Sequence, residues 1–377
     1  MANFQFSIFN FQLPTPAFLV DRRVVARNCD RMREKATTSS VIFRPHVKTH
    51  KTVEIARMQH GGERGPITVS TMAEAEFFAG AGFVDITYAV PMAPEKLARA
   101  VALASRIERL NVLIDHERAL AALEEFHRAE SATFDVFLKV DCGYHRAGVD
   151  PDDPESVRLA LAIARSPAVR FHGLLTHAGH SYHARNISDI LRVAAQETAA
   201  VTRFRSKLDG FTNVIRSIGS TPTASVVDRF TDCDEVRPGN YVFYDAFQAS
   251  IGACFPADCA VSVLATVIGC YPERGALLID AGALALSKDL GPDHIDPSFG
   301  FGRVCDEALH PVALELRSLS QEHGKIEGDR AEIARHPIGS RLRVIPNHSC
   351  LTSAMYDVYH VVEEGRIVDE WKPVGGW

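Results

Sequence analysis

Short apolar runs rich in β-branched residues alternate with stretches of helical apolar spacing over the first two thirds of the chain. Such alternation is typical of parallel strands covered by helices. The runs lie at residues 18–21, 41–44, 67–70, 86–90, 110–115, 134–140, 171–176 and 214–218. Eight runs favour a closed (β/α)8 TIM-like barrel. An open doubly wound sheet would need a glycine-rich turn after the first run, and the chain has none there.

Two helices between these runs have clear start signals. Thr71-Met-Ala-Glu74 is typical of a capping box and precedes an Ala- and Phe-rich stretch that ends near Ala81. Pro94 suits a first helical position, and apolar residues follow it at the i, i+3, i+4 and i+7 spacing.

The pattern changes after about residue 251. Runs at 261–268, 276–280, 340–345, 358–362 and 365–368 indicate strands, with turn signals and little helix between them. We therefore expect an α/β barrel over residues 14–250 and a second, mainly β domain over residues 251–377. The strand-like first 13 residues are expected to join the second domain.

Composition narrows the function without identifying it. Apolar residues make up 46% of the chain, charged residues 23%, and the net charge is -6, as in a globular protein with a large core. An acidic chain without basic runs argues against nucleic acid or an anionic membrane as the partner. The sequence shows neither a membrane-spanning run nor a signal peptide. Eight cysteines without a Cys-x-x-Cys pair indicate free thiols, so we expect a cytoplasmic protein.

The densest group of candidate side chains lies between residues 44 and 50. In an extended strand, Arg44, His46, Lys48 and His50 would share one face, because side chains alternate along a strand. At the carboxyl end of a barrel strand that face points into the active site, whereas on a sheet edge it would be only a solvated surface. Nearby cations and burial would lower the pKa of the lysine and give a free amine able to form a Schiff base.

Two later segments and two further residues suit an anionic ligand. Gly219, Ser220 and Thr221 follow the eighth run, and residues 176–182 follow the seventh, where loops of such barrels bind phosphate. Gly239 adds a further glycine at the same end. Arg146, after the sixth run, offers a fixed cation for a ring oxygen or a carboxylate, although a loop salt bridge would explain it equally well.

A candidate metal site lies in Pro346-Asn-His-Ser-Cys350. His348 and Cys350 would share one face of an extended segment, and imidazole with thiolate favours zinc. Two protein ligands do not complete a tetrahedron, which suits a catalytic ion that keeps positions for water and substrate. Core packing explains an isolated His-x-Cys pair as well.

Together these segments resemble the family of D-serine dehydratases and D-threonine aldolases, pyridoxal-phosphate enzymes of the alanine racemase type. The resemblance covers almost the whole chain and is most specific in RPHVKTHKT (44–52) and PNHSC (346–350). It implies that Lys48 carries pyridoxal phosphate and that His348 and Cys350 bind a metal. The positions matched to cofactor binding are Tyr182, Thr221, Gly239 and Asn240, and we add His46, Arg146, Gly219 and Ser220 to that set.

Within this family, the dehydratases are typically seen with a His-x-Cys ligand pair and zinc, and the aldolases with a His-x-Asp pair and manganese or magnesium. Cys350, and the Thr-His-Lys that follows Lys48, favour a dehydratase. Some relatives supply a second tyrosine after the position of Tyr182, but Ser188 and Asp189 occupy that stretch, which leaves the ring-nitrogen contact unassigned.

The resemblance implies a homodimer that converts D-serine to pyruvate and ammonia. Lys48 would remove the α-proton, the cofactor would take up the electrons, and zinc would stabilise the departing hydroxide. Three alternatives stay open: a metal-dependent aldolase acting on D-threonine or another β-hydroxy-D-amino acid, a 3-hydroxyaspartate dehydratase, and a non-catalytic pyridoxal-phosphate-binding homeostasis protein. A racemase is disfavoured because it would need no metal, and the long β-domain counts against the non-catalytic protein.

Overall fold

Strands and helices alternate from Ala17 to Ser250, and strands predominate after that point. The computed structural model describes residues 13–208, 210, 211 and 213–377. In chain order the strands are β1 (Ala17–Asp21), β2 (Ile42–Phe43), β3 (Ile67–Val69), β4 (Asp85–Pro91), β5 (Arg109–Ile114), β6 (Phe134–Lys139), β7 (Val169–Leu175), β8 (Ile215–Ile218), β9 (Glu235–Val236), β10 (Val261–Tyr271), β11 (Ala276–Ile279), β12 (Gly302–Cys305), β13 (Pro311–Leu319), β14 (Gly324–Gly328), β15 (Arg341–Pro346), β16 (Tyr359–Glu363) and β17 (Arg366–Trp371). The α-helices are α1 (Arg22–Thr38), α2 (Val53–Gln59), α3 (Met72–Gly80), α4 (Leu97–Ala104), α5 (Glu117–Glu130), α6 (Pro154–Arg165), α7 (Ile187–Ser206), α8 (Thr221–Val226), α9 (Ala246–Ser250), α10 (Ala283–Leu286), α11 (Arg330–Ala334) and α12 (Ser349–Ser353).

Eight strands form one parallel sheet in the order β2-β9-β8-β7-β6-β5-β4-β3. A parallel bridge between His46, just after β2, and Thr68 in β3 joins the two ends of the sheet. The backbone N–H of Thr68 donates to the carbonyl oxygen of Pro45 over 2.9 Å at this junction. The predicted set of eight parallel strands with intervening helices is therefore present.

The membership of this sheet differs from the prediction at both ends. The run at 18–21, predicted as the first barrel strand, is β1, and it pairs with β10 and β16 in the other sheet. The eighth parallel strand is β9, which has two residues and is too short to show any periodicity. Residues 176–182 therefore follow the sixth strand of this sheet, and the segments after β8 and β9 follow the seventh and eighth.

Apolar side chains from neighbouring parallel strands form a buried cluster on one face of the sheet. Leu113, Phe137 and Leu175 come from three neighbouring strands and pack together, with Ile215 against them. All three are buried, so truncating Phe137 to alanine would cost about 3–5 kcal/mol of stability. This rigid centre supports the loops at the carboxyl ends of the strands.

Both predicted helix starts are confirmed. Thr71 precedes α3, and its hydroxyl accepts from the backbone N–H of Glu74 over 3.0 Å. The Glu74 carboxylate accepts from the N–H of Ser70 rather than of Thr71, so the capping box is only half formed. Pro94 begins a 3₁₀ turn, Pro94–Lys96, that leads directly into α4.

The second sheet has nine strands in the order β11-β14-β13-β12-β15-β10-β1-β16-β17, and β11 pairs with β10 as well. This extra pairing closes six of the strands into a ring, so this part of the chain is a β-barrel extended by β1, β16 and β17. The pairs are antiparallel except for β1 with β16. The all-β expectation is confirmed, although the sequence patterns missed β12, β13 and β14.

The chain divides into two compact units. One contains Val242–Pro373 with the N-terminal stretch that ends at Asn28, and the other contains Cys29–Tyr241 with Val374–Trp377. Residues 1–12, predicted to join the β-domain, lie outside the described residues. Among the described helices none has the length and apolar character needed to cross a membrane. The assignment of the cofactor to one domain and the metal to the other stays a prediction.

Candidate active site

Lys48 follows the first strand of the parallel sheet and is half-buried. It lies in a single 3₁₀ turn, Val47–Thr49, and its backbone N–H donates to Nδ1 of His46 over 3.3 Å. The expectation that residues 44–50 form an extended strand is wrong, because this turn replaces the two-residue alternation. Arg44 and His50 therefore do not share a face with Lys48.

Arg44 and His50 have structural surroundings instead. The buried Arg44 guanidinium donates to the carboxylates of Glu235 and Asp85, each over 2.6 Å. His50 is fully buried, and burial lowers the pKa of its imidazole to about 3. The arginine is thus neutralised by two carboxylates, and the histidine is uncharged at neutral pH.

His46 remains next to Lys48. Its Nδ1 accepts from the Lys48 backbone, which leaves Nε2, 3.3 Å from the Ser70 hydroxyl, as the protonated nitrogen of the neutral ring. Burial, and then the charge of Lys48, keep the pKa of His46 well below its usual value. The imidazole therefore adds no positive charge beside the lysine.

Gly239 lies directly against His46. A Cβ at residue 239 would come within 2.9 Å of the His46 Cβ and 3.1 Å of its carbonyl oxygen. The backbone N–H of His46 also donates to the carbonyl oxygen of Pro238 over 2.9 Å. The segment after β9 thus lies next to the segment that carries Lys48, and only glycine permits this approach. Asn240, also buried, begins the 3₁₀ turn that follows.

Three buried hydroxyls converge after β7 and β8. Ser220 is the N-cap of α8, and its Oγ lies 2.9 Å from both Ser181 Oγ and Thr223 Oγ1. Thr221 Oγ1 accepts from the backbone N–H of Tyr241 over 3.2 Å. The predicted segment 219–221 therefore lies among buried hydroxyls at the start of α8, and the backbone N–H of Gly219 donates to the buried Glu197 carboxylate over 3.1 Å.

His177 connects this segment to Lys48. Its Nδ1 lies 3.1 Å from the carbonyl oxygen of Gly219. Burial, and then the charges of Lys48, Lys139 and Arg146, lower its pKa well below the usual value. The imidazole is neutral, so Nδ1–H donates to the carbonyl and Nε2 keeps its lone pair.

Two buried basic residues, Lys139 and Arg237, lie near Lys48, His46 and His177. Lys139, at the end of β6, is 6% exposed, and its side-chain amine makes no hydrogen bond or ion pair with the residues that the structure describes. Burial, followed by the charge of Arg237, lowers the pKa of Lys139 to about 7. Arg237 donates to Ser217 Oγ over 2.6 Å and also to the carbonyl oxygen of Thr176. Lys48 therefore has several basic groups near it, and two of them, Lys139 and Arg237, lie close to the buried carboxylates Glu197 and Glu235.

Arg146 and Tyr182 lie on loops at the same ends of the strands. Arg146 is exposed, after β6, and its charge acts on His177 and Lys139. The loop salt bridge considered for Arg146 is absent among the described residues. Tyr182 is half-buried in the 3₁₀ turn Gly179–His183 after β7.

The sequence patterns did not identify Lys139, Arg237 or His177 as site residues. Each comes at or just after the end of a parallel strand, and that position is the one signal that could have selected them. Arg237 was hidden because β9 itself was missed.

The candidate metal ligands are in the other unit. His348 precedes α12 and Cys350 lies in its first turn, so the expected extended segment is wrong. The His348 imidazole and the Cys350 thiol are hydrogen-bonded, and His348 Nδ1 lies 3.1 Å from the Asp289 carboxylate. These two partners raise the pKa of His348 well above its usual value despite burial, which acts in the opposite direction.

The loop around these ligands is held by a second carboxylate. Asp245 accepts from the backbone N–H of Ser349 over 3.0 Å and from its hydroxyl over 3.2 Å. Nδ1 of His348 is occupied by Asp289, so Nε2 and the Cys350 sulfur are the donors left for a metal. Within the described ranges no group of three or more His, Cys, Asp or Glu side chains is arranged to hold an ion.

Comparison with known proteins gives consistent matches over nearly the whole length. The family described as alanine racemase, N-terminal domain, matches residues 20–246, and a serine dehydratase domain matches residues 260–362. The D-threo-3-hydroxyaspartate dehydratase of Delftia sp. (strain HT23) is 39% identical over 97% of this chain and 98% of its own. The D-serine dehydratase of Dictyostelium discoideum is 39% identical over 97% and 98%. A solved D-threo-3-hydroxyaspartate dehydratase mutant in the metal-free form has a TM-score of 0.92 at 37% identity, covering 97% of this chain and 99% of the other.

Proposed function

Because this chain belongs to the family of D-serine and D-threo-3-hydroxyaspartate dehydratases, we propose that it is a pyridoxal-phosphate- and metal-dependent lyase converting D-serine to pyruvate and ammonia. The resemblance inferred from the motifs is confirmed, as is the class of enzyme. The observation that carries the proposal is a lysine just after the first parallel strand, with further basic groups and two neutral imidazoles close to it. The specific substrate, the residue roles, the metal and the closed-barrel description are parts of the proposal.

The residues present fit pyridoxal phosphate. The buried amine of Lys139 has no hydrogen-bond or ion-pair partner among the described residues, and Arg237 and Arg146 lie near it, which suits a phosphorylated ligand. The phosphate would lie against Gly219, Ser220 and Thr221 with Gly239 and Asn240, and Tyr182 would border it. When bound, pyridoxal phosphate supplies an electron sink for the pair left on the substrate α-carbon.

Side chains of this unit would remove the substrate proton, orient the lysine and bind an anionic group. The Lys48 amine removes the α-proton of the substrate, and His46 orients the turn that carries it. The neutral His46 and His177 leave Lys48 without additional imidazolium charges nearby. Arg146 has no ion-pair partner in the described chain, so its guanidinium is available to a carboxylate or a cofactor oxygen.

The donor set of the other unit fits zinc better than manganese or magnesium. A soft thiolate and an imidazole bind zinc, whereas the harder ions prefer oxygen ligands. Asp289 on Nδ1 of His348 is the carboxylate partner that orients a metal-binding imidazole. When bound, zinc would supply a Lewis acid for the β-hydroxyl that leaves as hydroxide.

Product analysis tests this proposal. Purified protein loaded with pyridoxal phosphate and zinc is incubated with D-serine or D-threonine, before and after chelation. We expect pyruvate and ammonia in equal amounts from D-serine, with turnover lost on chelation and restored by zinc. Glycine with an aldehyde as the main products would identify an aldolase instead. No turnover of either substrate by the loaded protein would contradict the proposal.

D-threo-3-hydroxyaspartate is the second candidate substrate, because the basic surroundings suit an additional carboxylate. Lys139 and Arg146 both lack ion-pair partners among the described residues, and D-serine has a single carboxylate to occupy them. The ratio of kcat/KM for the two substrates decides between them. We also propose a homodimer, on the resemblance of the fold alone, and a cytoplasmic location, on the free cysteines.

A further inference from the structure

Tyr144 lies in the loop after β6, and a single carboxylate fixes its backbone. Asp141 Oδ1 accepts from the backbone N–H groups of Gly143, Tyr144 and His145 over 2.9, 3.0 and 3.0 Å. Three hydrogen bonds from consecutive residues leave this stretch of main chain little freedom. The direction in which the Tyr144 side chain leaves the loop is therefore set.

The Tyr144 ring lies directly against the backbone of Gly179. A Cβ at residue 179 would be 2.2 Å from Cε1 of the tyrosine and 2.6 Å from two more ring carbons. Gly179 does not have a positive φ angle, so its backbone conformation is open to other residues. A side chain at residue 179 would therefore displace the Tyr144 ring, whereas glycine leaves the ring in place.

Three basic side chains surround the ring placed in this way. The Arg146 guanidinium lies 5.0 Å from its centroid, and the rings of His177 and His180 lie 6.1 and 6.2 Å away. Arg146 is exposed and makes no hydrogen bond or ion pair with the described residues, so the ring is the surface that orients it. Such stacking is favourable and directional for a planar guanidinium.

We propose that Tyr144, admitted by Gly179, is a positioning residue that holds the Arg146 guanidinium at the carboxyl end of the parallel sheet. This inference rests on the proposed function insofar as Arg146 binds a substrate or cofactor oxygen there. The ring, rather than the hydroxyl, carries the effect, because no hydrogen bond of the hydroxyl to a described residue is present. An exposed arginine is thereby kept in one orientation before a ligand arrives.

Steady-state kinetics of four variants test the proposal. Tyr144→Ala should raise the KM for the amino acid by about tenfold or more, because a displaced charge binds poorly, with a smaller change in kcat. Tyr144→Phe keeps the ring and should restore KM to within about twofold of the wild type. Gly179→Ala should reproduce the Tyr144→Ala phenotype, because the added methyl group displaces the ring. Gly80→Ala is the matched control, since a Cβ there meets nothing within 4 Å.

A double-variant comparison shows whether the tyrosine acts through the arginine. In an Arg146→Ala background, Tyr144→Ala should change KM by less than about twofold, because the group it positions is already absent. Additive effects would overturn the proposal. So would a KM unchanged in Tyr144→Ala.

The side-chain position provides a readout that does not depend on turnover. In a crystal structure of Tyr144→Ala the Arg146 guanidinium should leave the position it has above the ring, and in Tyr144→Phe it should stay. An unmoved guanidinium in Tyr144→Ala would overturn the proposal. If the wild type acts on no β-hydroxy-D-amino acid, the proposed function has failed, and these two structures alone decide the role of Tyr144.

Discussion

Lys139 gives the parallel unit a pH dependence that can be measured without substrate. Its pKa is lowered to about 7 by burial, from an ordinary value near ~10.4. Between these values the unfolded chain keeps a proton that the folded protein has lost, so stability rises with pH. As pH falls towards 7, the folded protein must bury a charged amine, and the free energy of unfolding decreases.

We therefore expect Lys139→Met to flatten the pH dependence of stability. The free energy of unfolding of the cofactor-free wild type, relative to the variant, should rise by up to ~1.4 kcal/mol per pH unit above pH 7. Urea denaturation at several pH values measures it. Parallel curves for the two proteins would mean that Lys139 is not desolvated in the folded state.

We expect Cys350 to determine which metal the other unit prefers. In Cys350→Asp a hard carboxylate replaces a soft sulfur, so zinc should bind more weakly relative to manganese, and elimination of D-serine should fall. Metal analysis after dialysis against both ions, with the product assay, measures the two effects. Cys270, also half-buried, provides the control Cys270→Ala, which should keep its zinc. Chelator-insensitive turnover of D-serine in Cys350→Ala would show that the thiol only packs.

At the scale of single residues, the sequence indicated candidates that stand in local motifs and did not indicate those that only the fold brings together. Lys48 and the His348–Cys350 pair stand in short, recognisable segments. Lys139 and His177 stand alone in sequence, and only the parallel sheet brings the amine of Lys139 and the neutral imidazole of His177 close to Lys48. Arg44 was grouped with Lys48 because a strand was assumed, whereas two distant carboxylates, Glu235 and Asp85, pair with it.

At the scale of elements, we expect the affinity for pyridoxal phosphate to depend on the segment after β9, which contains Gly239. Gly239→Ala would place a methyl group 2.9 Å from the Cβ of His46, so this segment or the Lys48 turn must move. We expect the dissociation constant for pyridoxal phosphate to rise by about tenfold or more, as for other displaced binding groups. Absorbance titration of the cofactor-free protein measures it, with Gly80→Ala as control. An unchanged constant would remove this segment from the cofactor site.

Element boundaries followed the sequence where periodicity was strong. Thr71 and Pro94 mark the helix starts correctly because their local chemistry determines them. Two assignments failed for physical reasons: β9 has only two residues, and the 3₁₀ turn at 47–49 lies in a segment whose alternation favoured a strand. β1 pairs with β10 and β16, and no local pattern specifies the partner of a strand.

At the scale of the whole molecule, we expect two copies of the 41.4 kDa chain to associate. The expectation comes from proteins of this fold, in which the β-domain of one subunit usually completes the cofactor pocket of the other. Sedimentation equilibrium of the loaded enzyme should give twice the chain mass at concentrations where it is active. A fully active monomer would contradict the dimer while leaving the chemistry of the parallel unit unchanged.

The attachment of pyridoxal phosphate to one particular lysine is the central claim, and peptide mapping tests it most directly. Borohydride reduces the imine between a lysine and the cofactor, so the label stays on the residue that carried it. Wild-type protein loaded with pyridoxal phosphate, reduced and digested should yield one labelled peptide with the modification on Lys48, and Lys48→Ala should yield none while remaining folded. A label on Lys51 or Lys139, or an unlabelled wild type, would contradict the account.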